Sequence, residues 1–180
     1  MTDGWMVEDA TNTHRYLLGY NLGQQGQTIT WCLLNPSTAT GDVPDPTMRR
    51  VIDFSRRWGY GRALITNLFP LRSTDPRGLK TIGEGLGIDA HANLLSPRFT
   101  TTTFRPNTAA ITLAIQVSDV IVAGWGSNVP KTMMHVAAAI TELIRISGKG
   151  RCLRLNADGS PGHPLYLRAD TELKPYPSNR

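Results

Sequence analysis

The chain is poor in the residues that carry the commonest metal and cofactor sites. Of its 180 residues only Cys32 and Cys152 are cysteines; each lies in an apolar run and neither belongs to a Cys-x-x-Cys pair. A four-cysteine zinc or iron–sulfur site within one chain is thereby excluded, and both are expected as small buried apolar residues. No apolar run approaches the roughly 20 residues of a membrane-spanning helix. The start, Met1-Thr2-Asp3-Gly4-Trp5, has no basic segment followed by an apolar one, so no secretory leader is expected. Nucleotide-binding patterns such as GxGxxG and the P-loop are absent, and so is a Ser-His-Asp set with a nucleophile elbow. Histidine and carboxylate spacings match no metal-ligand motif, so neither a metal nor an organic cofactor is expected. There is no internal repeat and no low-complexity block. The expectation is a cytoplasmic monomer without a membrane partner.

What remains is a folded composition. Hydrophobic residues make up 40% and charged residues 18%, which excludes a disordered or collagen-like chain. The length suits one domain over residues 1–180, with an irregular tail at about 169–180. Lys and Arg number 19 against 14 Asp and Glu, a net charge of +5. That moderate basic excess suits a nucleic-acid partner without requiring one.

Strand and helix patterns alternate. Residues 14–20 and 28–34 read as strands joined by a Gly/Gln-rich turn, which predicts an antiparallel hairpin. Trp31–Leu34 is apolar on both faces, as in a strand covered on both sides. Asp45 is expected as the N-cap of a helix with Pro46 at its first position. Met48, Val51, Ile52 and Trp58 recur at helical spacing on that helix. Arg49, Arg50, Arg56 and Arg57 share another stripe, either a solvated face or a phosphate-tracking one. Gly59-Tyr60-Gly61 ends the helix. Further strands are expected at 63–66, 119–123 and 151–155. Helices are expected near 88–95, after Asn107, and over 132–147. The alternation predicts an α/β fold, three-layer α/β/α with a central, mostly parallel sheet.

In such folds ligands bind beyond the carboxyl ends of the strands. Those are the places where the polar residues of this sequence collect. Leu33-Leu34 runs into Asn35-Pro36-Ser37, and Ile65-Thr66 into Asn67-Leu68-Phe69. Val122-Ala123 runs into Gly124-Trp125-Gly126, and the last strand is followed by His163-Pro164-Leu165-Tyr166-Leu167. Each residue also has a purely structural use. Asn35 and Ser37 suit a turn, Asn67 suits a buried amide tying two loops, and His163 suits a satisfied structural histidine. His14 and His135 lie within expected elements and read as structural.

The set LNPSTA, DPT, GYG, NLFP, WG and HPLYL resembles a family of uncharacterised bacterial and phage proteins, over roughly residues 14–168. Its order is also similar to the uracil-DNA glycosylase superfamily. That resemblance implies four site elements: a water-positioning Asn35-Pro36, a base-reading Asn67, a strand end at Trp125-Gly126, and a base-contacting His163-Pro164. It also implies that Ser37 stands where the strict uracil enzymes close the pocket with a tyrosine. A pyrimidine carrying a group at C5 is then expected to fit. Since asparagine orients water without deprotonating it, a carboxylate is expected to assist. With Asp45 assigned to the helix cap, Asp42 is the candidate.

The resemblance thus implies hydrolysis of the N-glycosidic bond of a flipped nucleotide in DNA. The best-matching substrate is a 5-modified pyrimidine such as glucosylated hydroxymethylcytosine in phage DNA, in an anti-phage role. Pro36, Ser37, Asn67, Phe69 and Trp125 are the expected substrate contacts, with Phe54 or Tyr60 as a stacking aromatic. Leu165, Tyr166 and Leu167 are expected to fill the gap in the duplex. Arg49, Arg56, Arg72 and Lys131 are expected at phosphates. Three alternatives stand beside this one: a uracil or mismatched-thymine glycosylase, a nucleoside hydrolase or deoxyribosyltransferase on free nucleotides, and a non-catalytic reader of modified bases.

Overall fold

Asp45 starts the first helix as its sequence requires. Its Oδ1 accepts the Met48 backbone N–H at 2.7 Å, Pro46 occupies the first turn, and helix α1 runs over Pro46–Arg57. The structure, a computed structural model, describes residues 3–37, 39, 41–73 and 104–177. The helix expected near 88–95 lies outside the described residues.

Seven strands form one sheet: β1 (Asp3–Glu8), β2 (Arg15–Asn21), β3 (Thr28–Leu33), β4 (Arg62–Asn67), β5 (Val120–Ala123), β6 (Gly150–Cys152) and β7 (Lys174–Pro175). Their order is β1-β2-β4-β3-β5-β6-β7. The three pairings that join β4, β3, β5 and β6 are parallel, and the three outer pairings are antiparallel. The sheet is therefore mixed rather than mostly parallel.

The expected hairpin of β2 with β3 does not form. β4 lies between them, antiparallel to β2 and parallel to β3. The turn between β2 and β3 is instead spread open to admit the chain entering β4. Leu22 N–H donates to the Gly61 carbonyl at 2.9 Å, and Gly61 N–H to Gln27 at 3.0 Å. Here Gly26 and Gly61 cross backbone to backbone: a Cβ on Gly26 would lie 2.5 Å from the Gly59 carbonyl oxygen. The hairpin that does form joins β1 and β2, through a turn tied by Asp9 to the Thr13 and His14 amides at 2.9 and 3.0 Å.

Helix α1 covers one face of the sheet; α2 (Phe104–Val117) and α3 (Met134–Ser147) cover the other. The alternation along β3 explains this. Ile29, Trp31 and Leu33 pack with Val51, Ile52 and Phe54 of α1, while Cys32 packs with the α3 residues Val136 and Ile140. Trp31 Nε1 donates to Ser55 Oγ at 3.0 Å, which donates in turn to the Val51 carbonyl at 2.7 Å, so the buried indole is satisfied and α1 is pinned. Cys32 and Cys152 are buried as expected, and burial pushes the Cys32 thiol up to about 12. None of the described helices is long and apolar enough to cross a membrane.

Candidate functional site

β3 and β4 end side by side. Leu33 is in register with Asn67, and Leu68 and Phe69 N–H continue the pairing to the Leu33 and Leu34 carbonyls at 2.9 and 3.0 Å. Asn35 and Asn67 therefore leave adjacent parallel strands at the same end of the sheet. Along β4, Ala63 and Ile65 face α1, and Asn67 continues that series. The first turn of α1 lies over this end, and between them is a cleft of about 280 Å³.

Asn35, Ser37, Asn67 and His163 all line this cleft. Four residues that the strand-end argument singled out separately are thus together. Asn67 is 1% exposed, and neither its Oδ1 nor its Nδ2 has a hydrogen-bond partner among the described residues. Its position is fixed through its backbone: Asn107 of α2 donates to the Asn67 and Leu68 carbonyls at 3.1 and 3.2 Å. A buried carboxamide left open in this way is uncommon. Asn35 spends its Nδ2 on the Ser73 carbonyl at 2.7 Å and the Pro36 carbonyl at 3.1 Å. Its Oδ1 makes no hydrogen bond among the described residues and remains an acceptor.

His163 stands before a short 3₁₀ turn, Pro164–Tyr166, and its Nδ1 accepts the Leu165 N–H at 3.4 Å. That bond assigns the ring proton to Nε2, the donor left for a ligand. Burial holds the His163 pKa below 6.5, against an opposing pull from Asp45. The glycines of Gly124-Trp125-Gly126 make room for this loop. Gly126 has φ +74°, donates its N–H to the Pro161 carbonyl at 2.9 Å, and a Cβ on it would lie 3.4 Å from His163 Cβ.

Asp45 also lines the cleft: Oδ1 caps α1 while Oδ2 accepts the Ser37 hydroxyl. It is the carboxylate of the site. Asp42, the expected candidate, is exposed and outside the cleft. Arg15, Thr47, Met48 and Ser73 line it too, and sequence reasoning missed all four. For Arg15 a signal existed: it is a charged residue at the head of an apolar strand.

Several expected contacts are elsewhere. Phe69 and Trp125 are buried in the core, Trp125 edge-on to Tyr176 at 5.8 Å. Pro36 is buried beside the cleft, and its carbonyl accepts the Ser73 N–H at 2.8 Å. Phe54 is packed under Arg50 and Arg57, and Tyr60 lies at the far end of α1, so neither can stack on a ligand here. Leu165 and Tyr166 are 37% and 77% exposed beside His163, but Leu167 is 7% exposed and belongs to the core under α1. Arg56 donates to the Leu22 carbonyl at 3.1 Å, and Arg72 pairs with Glu8 at 2.6 Å. Arg49 and Lys131 are exposed. No group of three or more His, Cys, Asp or Glu among the described residues is placed to hold a metal. A larger, open hollow of about 690 Å³ lies at the opposite end of the strands, lined by the 21–28 turn, Gly61 and Arg62.

Fold and cleft together define an α/β protein on a mixed sheet, with a polar cleft at the carboxyl ends of its central parallel strands. The chain belongs to the DUF1643 family, described as proteins of unknown function; the family model matches residues 15–165. No curated protein and no solved structure matches the chain.

Proposed function

We propose that the protein is a DNA glycosylase that hydrolyses the N-glycosidic bond of a flipped, 5-modified pyrimidine, the best candidate being glucosylated hydroxymethylcytosine in phage DNA. The observation that carries this reading is the Asn67 carboxamide, buried at the cleft with both polar atoms open. An amide presents a donor and an acceptor side by side, the complement of a pyrimidine edge. Burying an amide without hydrogen bonds costs about 1–3 kcal/mol, which a base edge would recover.

The other residues fit the same reaction. The bond from C1′ to the base nitrogen breaks, and its electron pair leaves with the base. Water oxygen bonds to C1′ and gives up a proton to the site or to solvent. Asn35 Oδ1 is the free acceptor that orients this water. Asp45, rather than Asp42, is the carboxylate that assists, with Ser37 as its donor. The Nε2–H of neutral His163 faces the charge that develops on the base. The small Ser37 leaves room for a C5 substituent, and exposed Leu165 and Tyr166 are the residues left to enter the duplex.

The test is incubation with DNA containing normal bases, uracil, 5-hydroxymethylcytosine or its glucosylated form. Abasic sites on one modified substrate, lost in Asn35→Ala and His163→Ala, are the expected result. No base release from any of these DNAs overturns the reading.

A second reading, a hydrolase or deoxyribosyltransferase of free nucleotides, draws support from the basic stripe. Arg50, Arg56 and Arg57 all donate to backbone carbonyls of the protein itself, and among the described residues Arg49 makes no such bond. Release of base from nucleosides or nucleotides but not from DNA would favour it.

A further inference from the structure

Arg15 is on the wrong face of the sheet for a regular strand. Along β2, Leu18 and Tyr20 pack under α1, and Leu17 packs on the opposite face with Ala114 of α2. Strict alternation would carry Arg15 to the side of Leu17. Instead, the pairing of β1 with β2 shifts: Val7 faces Leu17 and Glu8 faces Arg15, so Tyr16 is an extra residue on β2. A bulge of this kind re-aims the next side chain. Arg15 thereby turns into the cleft at the end of β4.

There Arg15 as a residue is 1% exposed. One nitrogen, Nη1, donates to the Ala39 carbonyl at 2.6 Å, and Nε is buried with no partner among the described residues. No carboxylate oxygen pairs with it among the described residues, whereas its neighbour Arg72 has Glu8 at 2.6 Å. Arg72 also approaches the Ala39 carbonyl, at 3.5 Å. That carbonyl therefore does not require a second cation. Asp45, the carboxylate of the cleft, is already engaged by the Met48 N–H and the Ser37 hydroxyl. A buried charge with no directly paired carboxylate costs several kcal/mol. The cost is visible in the Arg15 pKa, lowered to about 10 by burial and by Arg72, with Tyr20, Asp45 and Glu8 offsetting only part of it. Such a charge is stabilised when a ligand brings the opposite one.

We propose that Arg15 is the receptor for an oxyanion of the ligand that enters this cleft. The class of ligand rests on the nucleotide reading above: the oxyanion is a phosphoryl group of the nucleotide or the deprotonated edge of its pyrimidine. The open Nε and the fork of a guanidinium suit either.

The test needs no turnover. Wild type, Arg15→Gln, Arg15→Lys and Arg72→Gln are titrated by calorimetry at matched ionic strength. The probes are inorganic phosphate, deoxycytidine monophosphate against deoxycytidine, and the 5-nitrouracil anion against neutral uracil. Wild type is expected to prefer an anionic probe over its neutral counterpart. Arg15→Gln should weaken that probe about 10- to 100-fold, the range of a charge-assisted hydrogen bond. Arg15→Lys should retain part of the affinity, and Arg72→Gln should bind as wild type does. Preference for the monophosphate identifies a phosphoryl group, and preference for the nitrouracil anion identifies the base. An affinity unchanged in Arg15→Gln overturns the proposal. If that variant does not fold, the wild-type arm decides: no preference for either anionic probe over its neutral partner overturns it equally. Absence of base release from DNA would defeat the glycosylase reading and leave this result standing.

Discussion

The Asp45 carboxylate joins Ser37 to helix α1: one oxygen accepts the Met48 N–H at 2.7 Å and the other accepts the Ser37 hydroxyl. A single side chain therefore fixes both the start of the helix and the wall of the cleft, and its negative charge lies at the positive end of the helix dipole. Asp45→Ala should lower stability by about 1 kcal/mol, the usual worth of a cap. In a chain of this size that is a fall of about 2–4 °C in Tm by calorimetry. Asp45→Asn should retain most of the cap and lose base release, which separates the two uses of the residue.

Asn67 makes the opposite prediction for stability. Its side chain forms no hydrogen bond among the described residues and is 1% exposed. Replacing it by Leu removes an unsatisfied buried amide. Asn67→Leu should leave stability unchanged or raise it by about 1 kcal/mol in urea unfolding, while abolishing ligand binding. A large loss of stability would mean that the amide is structural.

Ser37 tests the size of the pocket. Ser37→Tyr places a ring in a cleft of about 280 Å³. Its kcat/KM should fall more than about tenfold for a C5-substituted pyrimidine and much less for uracil, because overpacking penalises only the larger base. Parallel assays on the two DNAs measure this.

His163 sets a pH dependence. Burial favours the neutral ring, so its pKa in the fold lies below 6.5. Protonation of Nδ1 would set two donors face to face at the Leu165 N–H. Activity should be level above pH 6.5 and fall as pH drops through the lowered pKa. Stability follows the same sign. The unfolded chain takes up the proton first, so stability declines from about 6.5 down to the folded value and is level below it. His163→Ala should flatten the stability profile over that window and lower kcat about 10²- to 10³-fold.

Local chemistry made much of this molecule legible in advance. The Asp45 cap with Pro46, the α1 face of Met48, Val51 and Ile52, and the stop after Ser147 at Gly148 are written in neighbouring residues, and they form as read. The strand-end rule also located Asn35, Ser37, Asn67 and His163, because the carboxyl ends of adjacent parallel strands share one edge.

What depends on distant partners was not legible. The turn at 21–27 looks like a hairpin, but β4 enters between β2 and β3, and pairing between strands is decided by the whole sheet. Leu167 reads as an apolar wedge, yet α1 covers it and Arg50 binds its carbonyl. The sequence marked Asp45 as the cap and so left Asp42 as the carboxylate; only the tertiary structure brings the capping carboxylate itself into the cleft. Arg15 is the clearest case. The sequence by itself determined that a charged residue heads an apolar strand. Only the tertiary structure, through one extra residue in the register with β1, decided which face of the sheet it serves, because a one-residue shift in a period of two reverses every side chain beyond it.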